Sequence, residues 1–151
     1  MGCVYRSERP PAVTFGNAMI QDTYPLSPLQ QGMLFHHLEA RTPGVDIEQL
    51  EVRLNEPIDT NRLADAWARV ARQNPILRTR FRWEGSQAPV QEVTHDIVLP
   101  FEVRDLSKIT AEEQEKAVIR FLADDRSRGF AFDVAPLWRA TVLQLGADRH
   151  R

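Results

Sequence analysis

Tyr24-Pro25-Leu26-Ser27-Pro28-Leu29-Gln30-Gln31-Gly32-Met33-Leu34-Phe35-His36-His37-Leu38 is the stretch where irregular sequence gives way to a first helix. Ser27 is placed to cap that helix, and Pro28 suits the first helical position, where a missing N–H costs nothing. Gln30, three residues after Ser27, completes an S-x-x-Q capping box. Leu26, Leu29, Met33, His36 and Ala40 then recur at steps of three and four, and Leu34 and Leu38 widen the stripe. One broad face of this helix is therefore expected to be buried. Upstream, residues 1–20 carry Pro10-Pro11, Gly16, Asn17 and scattered charge, with only Val13 and Phe15 alternating. That is the composition of a leader or linker. Residues 1–21 are accordingly set apart from a folded unit over 22–151.

Downstream, Thr42-Pro43-Gly44 breaks the chain, and Leu50, Val52 and Leu54 alternate with Glu51 and Arg53 as in a half-buried strand. Asp59 or Thr60 then caps a helix whose Leu63, Ala66, Trp67, Val70 and Ala71 share one face, until Asn74-Pro75 stops it. Leu77, Thr79, Phe81 and Trp83 alternate with three arginines, Gly85-Ser86 turns, and residues 90–93 return, which predicts a hairpin. Residues 97–103 read as extended. Thr110 and Glu113 form a second capping box, opening a helix that buries Ala117, Val118, Phe121 and Leu122 and ends before Gly129. Residues 137–145 are rich in branched and aromatic side chains, and Gly146-Ala147-Asp148 turns the chain into a further segment. The pattern predicts an α/β (α+β) two-layer sandwich with helices on a mixed sheet.

The 151 residues, 42% of them hydrophobic, suit one unit able to bury a core. A formal net charge of −2 offers no long-range attraction to nucleic acid or an anionic membrane. No apolar run approaches the roughly 20 residues of a membrane span. The single cysteine, Cys3, rules out an internal disulfide and a cysteine-based metal site and fits a cytoplasmic setting.

Chemistry has few candidates. The adjacent histidines His36-His37 suggest a metal or a general base, but successive helical positions point about 100° apart and cannot grip one ion from one face. Packing is the expected role, with one ring buried and one wet, and no metal is expected. Arg78, Arg80 and Arg82 alternate along a strand, where a solvated face is the expected role and phosphate binding the alternative. Arg78 differs, because it follows the apolar Ile76-Leu77 and would need a buried partner, expected to be a carboxylate. Phe130, Phe132, Leu137 and Trp138 surround Asp133-Val134-Ala135-Pro136 and are expected to pack as core, with a pocket as the alternative.

Three stretches also resemble motifs of one family. Ser27-Pro28-Leu29-Gln30-Gln31-Gly32-Met33-Leu34-Phe35-His36 resembles the opening motif of nonribosomal peptide synthetase condensation domains, S-P-x-Q-x-G-M-L-F-H. Asn74-Pro75-Ile76-Leu77-Arg78-Thr79-Arg80-Phe81 resembles the second motif, R-H-x-x-L-R-T-x-F, with Gln73 and Asn74 where Arg and His usually stand. Phe132-Asp133-Val134-Ala135-Pro136-Leu137-Trp138-Arg139 resembles F-D-x-x-x-P-L-x-R. The motif positions are thus Ser27, Gln30, Met33, Phe81, Phe132, Asp133 and Pro136, with Arg78 and Thr79 as structural residues near the active site.

The resemblance implies the chloramphenicol acetyltransferase-like fold, of which this is part of the N-terminal lobe. It implies a parent enzyme that joins an acyl or peptidyl thioester to the amine of an aminoacyl thioester. Both substrates would ride on 4'-phosphopantetheine arms of peptidyl carrier protein domains, beside an adenylation domain and the rest of the condensation domain. The family's H-H-x-x-x-D-G motif is expected a few residues past Arg151, and Arg78 is expected to pair with its aspartate. His36-His37 does not replace it, since Arg41 and Thr42 stand where Asp and Gly are required. No catalytic residue is therefore assigned within 1–151, and the chain alone is expected to be inactive. An acyltransferase of the same fold using coenzyme A thioesters, or a non-catalytic carrier-docking scaffold, are the alternatives.

Overall fold

The structure is a computed structural model and describes residues 19–39, 47–85 and 87–151. The leader up to residue 18, Ala40, the Thr42-Pro43-Gly44 break and Ser86 lie outside the described residues. The chain runs β1 (Ile20–Pro25), α1 (Pro28–Glu39), α2 (Thr60–Gln73), a 3-10 turn (Pro75–Arg78), β2 (Thr79–Arg82), β3 (Val90–Thr94), β4 (Phe101–Asp105), α3 (Ala111–Arg128) and β5 (Ala140–Gln144).

The expected caps form. The Ser27 amide donates to Gln30 Oε1 at 2.8 Å and the Gln30 amide to Ser27 Oγ at 3.2 Å. Asp59 accepts from the amides of Asn61 and Arg62 at the start of α2. Thr110 and Glu113 bond reciprocally at the start of α3. Gly129 closes α3 with φ 59°, a left-handed conformation that glycine adopts without a Cβ penalty.

Parallel and antiparallel pairing are both present, but in separate sheets. β3 lies between β1 and β2 and pairs antiparallel with each; β4 and β5 pair in parallel. Parallel neighbours need a long crossover, and α3 supplies it. Its Gln114, buried, donates to the carbonyls of Leu106 and Leu145 at 2.9 Å, fixing the helix to the ends of the parallel pair. Val118, at 1% exposure, is the best-buried apolar side chain of the helix.

Three expectations are corrected. β1 takes in Ile20 and Gln21, which the composition of residues 1–21 had placed in the leader. It is an edge strand, exposed beyond Ile20, so its polar Gln21-Asp22-Thr23 carries no alternation to detect. The broad face of α1 is not buried: Leu34 is, while Leu29, Met33 and Leu38 are 74%, 50% and 53% exposed. Its contacts run through Gln30, which bonds Gln91 of β3, and His37, which stacks on Phe132. Residues 50–54 form no strand. Leu54 alone makes a bridge, with His150, and Leu50 is 91% exposed. A strand exists only where a neighbour satisfies its backbone groups, and within the described residues this segment has one for a single position.

Candidate functional site at the meeting of three motifs

Arg78 leaves the 3-10 turn between the end of α2 and the end of β3 and is 5% exposed. Its partners are not carboxylates. Nε donates to the Ala71 carbonyl at 3.1 Å, and Nη1 to the carbonyls of Thr94 and His95 (3.1 Å to the latter) and to Gln21 Oε1 at 3.1 Å. Ala71 lies in the last turn of α2, whose carbonyls have no helical partner and carry the negative end of the helix dipole. Among the described residues charge complementarity is thus met by peptide dipoles, while the aspartate that the resemblance implies belongs to the motif expected past Arg151. Thr79, also buried, donates Oγ1 to the Pro75 carbonyl at 3.0 Å, and Thr94 Oγ1 donates to the Arg78 carbonyl at 2.9 Å. The turn is bound from both sides.

Arg80 and Arg82 do not form a free basic stripe. Both converge on Glu92, which stands opposite Arg80 in the β2–β3 register: Arg80 Nη2 lies 2.9 Å from Oε2, and Arg82 Nε 2.5 Å from Oε1. Burial alone would raise the Glu92 pKa, but hydrogen bonds from Arg82 and Arg80 and their charges outweigh it and hold the carboxyl below its usual value. Glu92 was not singled out from the sequence, and its signal was the strand register.

The second and third motif stretches meet at Phe132, against the residue that directly follows the first. Its carbonyl accepts from the Phe81 amide at 2.7 Å, its ring lies 5.9 Å from that of Phe81, and the His37 ring stacks on it at 3.7 Å and 11°. Arg80 Nη1 reaches the Asp133 carbonyl at 3.4 Å, while the Asp133 side chain is exposed. Trp138 Nε1 donates to the Leu77 carbonyl at 2.8 Å, and its ring lies 5.2 Å from Trp67. Of the histidine pair, His37 is half-buried and His36 exposed, as amphipathic packing requires. Ser27 and Gln30 do their work at the cap, from which Gln30 also reaches Gln91 at 3.2 Å. Met33 is half exposed, and Pro136 is half-buried.

Phe130, Phe132, Leu137 and Trp138 line a cavity of about 640 Å³, together with residues of 47–54, α2, α3, β5 and His150. The expectation that they close-pack as core is corrected, since none is fully buried and the space they face is open. At the rim, Arg139 binds Asp125 at 2.5 Å and the Gly129 carbonyl at 2.7 Å and covers the Phe130 ring at 4.3 Å. Burial pushes Asp125 up, but hydrogen bonds from Arg139 and Gln49 and the charges of Arg139 and Arg128 bring it below the ordinary aspartate value. Sequence reasoning missed this pair as well. Among the described residues no group of three or more His, Cys, Asp or Glu is placed to hold a metal, and no helix is long and apolar enough to cross a membrane.

The sequence profile of the condensation domain family matches residues 20–151. This chain belongs to the condensation domain family. The condensation domain chain is 39% identical over 135 residues to one of the linear gramicidin synthase proteins of Brevibacillus parabrevis, covering 89% of this chain and 2% of that protein. It is 26% identical over 132 residues to bacitracin synthase 1 of Bacillus licheniformis, covering 87% and 2%. The chain thus spans about 2% of the length of these curated relatives. Among solved structures, it superposes on holo-AB3403, a four-domain nonribosomal peptide synthetase bound to AMP and glycine, with TM-score 0.69 at 14% identity, over 93% of this chain and 10% of that one. The starter condensation domain of rhizomide synthetase RzmA gives TM-score 0.67 at 17% identity, over 85% and 32%. At such identities the likeness carries the fold, which is the one the three motifs imply.

Proposed function

We propose that this chain is the N-terminal part of a condensation domain that forms amide bonds in a nonribosomal peptide synthetase. The observation that carries the reading is the meeting of α1, through His37, and β2, through Phe81, at the Phe132 ring, in a chain whose family match runs from residue 20 to 151. In the proposed reaction the amine of an aminoacyl thioester attacks the carbonyl of an upstream acyl or peptidyl thioester. The C–N bond forms, the C–S bond breaks, and the proton of the amine ends on the released thiol. Both thioesters are carried on the 4'-phosphopantetheine of peptidyl carrier domains, so that group arrives with the substrates. An adenylation domain loads the acceptor, and the setting is the cytoplasm. Arg78 and Thr79 serve as structural residues beside the reacting centre, and the histidine that handles the amine comes from the H-H-x-x-x-D-G segment beyond Arg151.

The full protein carrying this chain, given donor- and acceptor-loaded carrier proteins, should yield the amide-joined product on the acceptor carrier by mass spectrometry. Product from coenzyme A thioesters and not from loaded carriers would move the assignment to the acyltransferase alternative. Carrier binding without product from either donor would favour the scaffold.

A further inference from the structure

β1 and β3 do not pair evenly. Ile20 stands opposite Thr94 and Asp22 opposite Val93, so Gln21 is an extra residue without a partner on β3. Pairing resumes on the far side of it, where the His95 amide donates to the Met19 carbonyl at 2.8 Å. An extra residue of this kind is a β-bulge, which bends the strand and re-aims a side chain. Here the side chain is that of Gln21, and its Oε1 accepts from Arg78 Nη1 at 3.1 Å.

Four acceptors hold the Arg78 guanidinium. The Ala71 carbonyl takes Nε, and the Thr94 and His95 carbonyls take Nη1, as does Gln21. The carbonyls belong to α2 and to the end of β3, backbone already fixed by the helix and by strand pairing. Gln21 is the acceptor supplied by a side chain, and the one that comes from β1. It is exposed while Arg78 is 5% exposed, so its amide covers the guanidinium on the side toward solvent. Among the described residues Nη2 makes no hydrogen bond. Arg78 also lines a cavity of about 90 Å³ with Ala71, Arg72, His95 and Asp96. The two ends of the fork thus differ: Nη1 is anchored, and because the guanidinium is rigid and planar, the plane that Nη1 and Nε define sets where Nη2 points.

We propose that Gln21 is a positioning residue for the condensation reaction, one that uses the β1 bulge to set the plane of the Arg78 guanidinium. This rests on the reading of Arg78 as a residue beside the reacting centre of a condensation domain. Nη1 has two N–H groups for three acceptors, so the carbonyls of Thr94 and His95 retain it when Gln21 is lost. What is lost is the hold from the solvent side: the guanidinium is then free to tilt outward, and any group that Arg78 orients moves with it. A displacement on the order of 1 Å beside reacting atoms slows chemistry out of proportion to its effect on binding. The bulge is the device that makes this possible, because it gives β1 a residue whose side chain is not committed to the alternation of the sheet.

Steady-state condensation by the full protein, with donor- and acceptor-loaded carriers, separates positioning from a purely structural role. Gln21→Met keeps the length of the side chain and removes the oxygen. Its kcat should fall about 5-fold, as for one lost hydrogen bond, with KM for the loaded acceptor carrier within about 2-fold of the wild type. Gln21→Glu keeps an oxygen at the same reach and should hold kcat within about 2-fold. Hydrogen exchange across residues 90–95 should be the same in all three proteins, because β1 is held to β3 by backbone bonds. A further readout needs no turnover: phenylglyoxal, which reacts with accessible guanidinium groups, should label Arg78 about 5-fold faster in Gln21→Ala, where the cover on its solvent side is gone. An unchanged kcat in Gln21→Met overturns the proposal, as does a loss in Gln21→Glu equal to that in Gln21→Met. Faster exchange across residues 90–95 in Gln21→Met would make Gln21 an anchor of the strand and also overturns it. Wild-type protein that gives no amide product while Gln21→Ala opens Arg78 to labelling refutes the function and leaves the hold of Gln21 on Arg78. Wild-type protein that condenses while kcat and labelling ignore Gln21 refutes the positioning role alone.

Discussion

Replacing Arg78 by alanine separates two accounts of why a buried arginine is tolerated. The guanidinium is 5% exposed and its acceptors are three backbone carbonyls and one side-chain amide. Alanine strands the Ala71 and Thr94 carbonyls in the interior, at roughly 1–3 kcal/mol each. Relief of the desolvation cost of the cation offsets part of this, which leaves a net loss of about 3 kcal/mol. For a domain of this size that lowers Tm by roughly 6–12 °C. Arg78→Lys should lose about half as much, because an ammonium keeps the charge and reaches some of the carbonyls but lacks the planar fork. Paired denaturant and thermal melts of residues 1–151 check both figures. If the arginine depends instead on a carboxylate supplied from beyond Arg151, it is an unpaired buried charge in this chain, and alanine should leave the midpoint unchanged or raise it. That result would refute the carbonyl cage.

Ser27→Ala should cost about 1 kcal/mol, because the Gln30 amide loses its acceptor; a melt with an unchanged midpoint would show that the capping box contributes nothing. Glu92→Gln should lower stability at neutral pH and flatten its acid dependence. The Glu92 pKa is lower folded than unfolded, so its contribution is complete above the unfolded value near 4.5 and is lost as pH falls through the folded one; melts from pH 7 to 3 should show the wild type losing its advantage over the variant within that window. Residues 1–151 alone should give no amide product with loaded carriers, since His36 and His37 lack an Asp-Gly partner, His95 is paired to Asp96 at 2.8 Å in an exposed loop, and His150 is buried. Product above the protein-free control in a mass-spectrometric assay would show that a group within this chain suffices.

What could be read from the sequence was what a few neighbouring residues decide. Both capping boxes, the Asn74-Pro75 stop, the Gly129 terminus and the β2–β3 hairpin depend on contacts within a few positions, and all form. The motif resemblance reached further, to the family, but it assigned no contact between its stretches, and the bond from Phe81 to Phe132 across 51 positions appears only in the structure. Glu92 and Asp125 escaped because a lone carboxylate in a strand or at the end of a helix looks like solvated surface until a register or a helix end brings arginines to it. The arginine row was legible as a row, but its acceptor was not.

The remaining departures share one cause. Periodicity shows that a face is apolar and is silent on what covers it. The α1 stripe, the alternation at Leu50, Val52 and Leu54, and the Phe130 to Trp138 aromatics are each as apolar as expected, and each is left partly uncovered or facing the cavity. Two of these three surfaces border the gap that begins at His150, so their exposure has a common geometry. The stripe of α1 stands apart from that gap: Gln30 bonds Gln91 of β3, His37 stacks on Phe132, and the exposed Leu29 and Leu38 do not line the cavity.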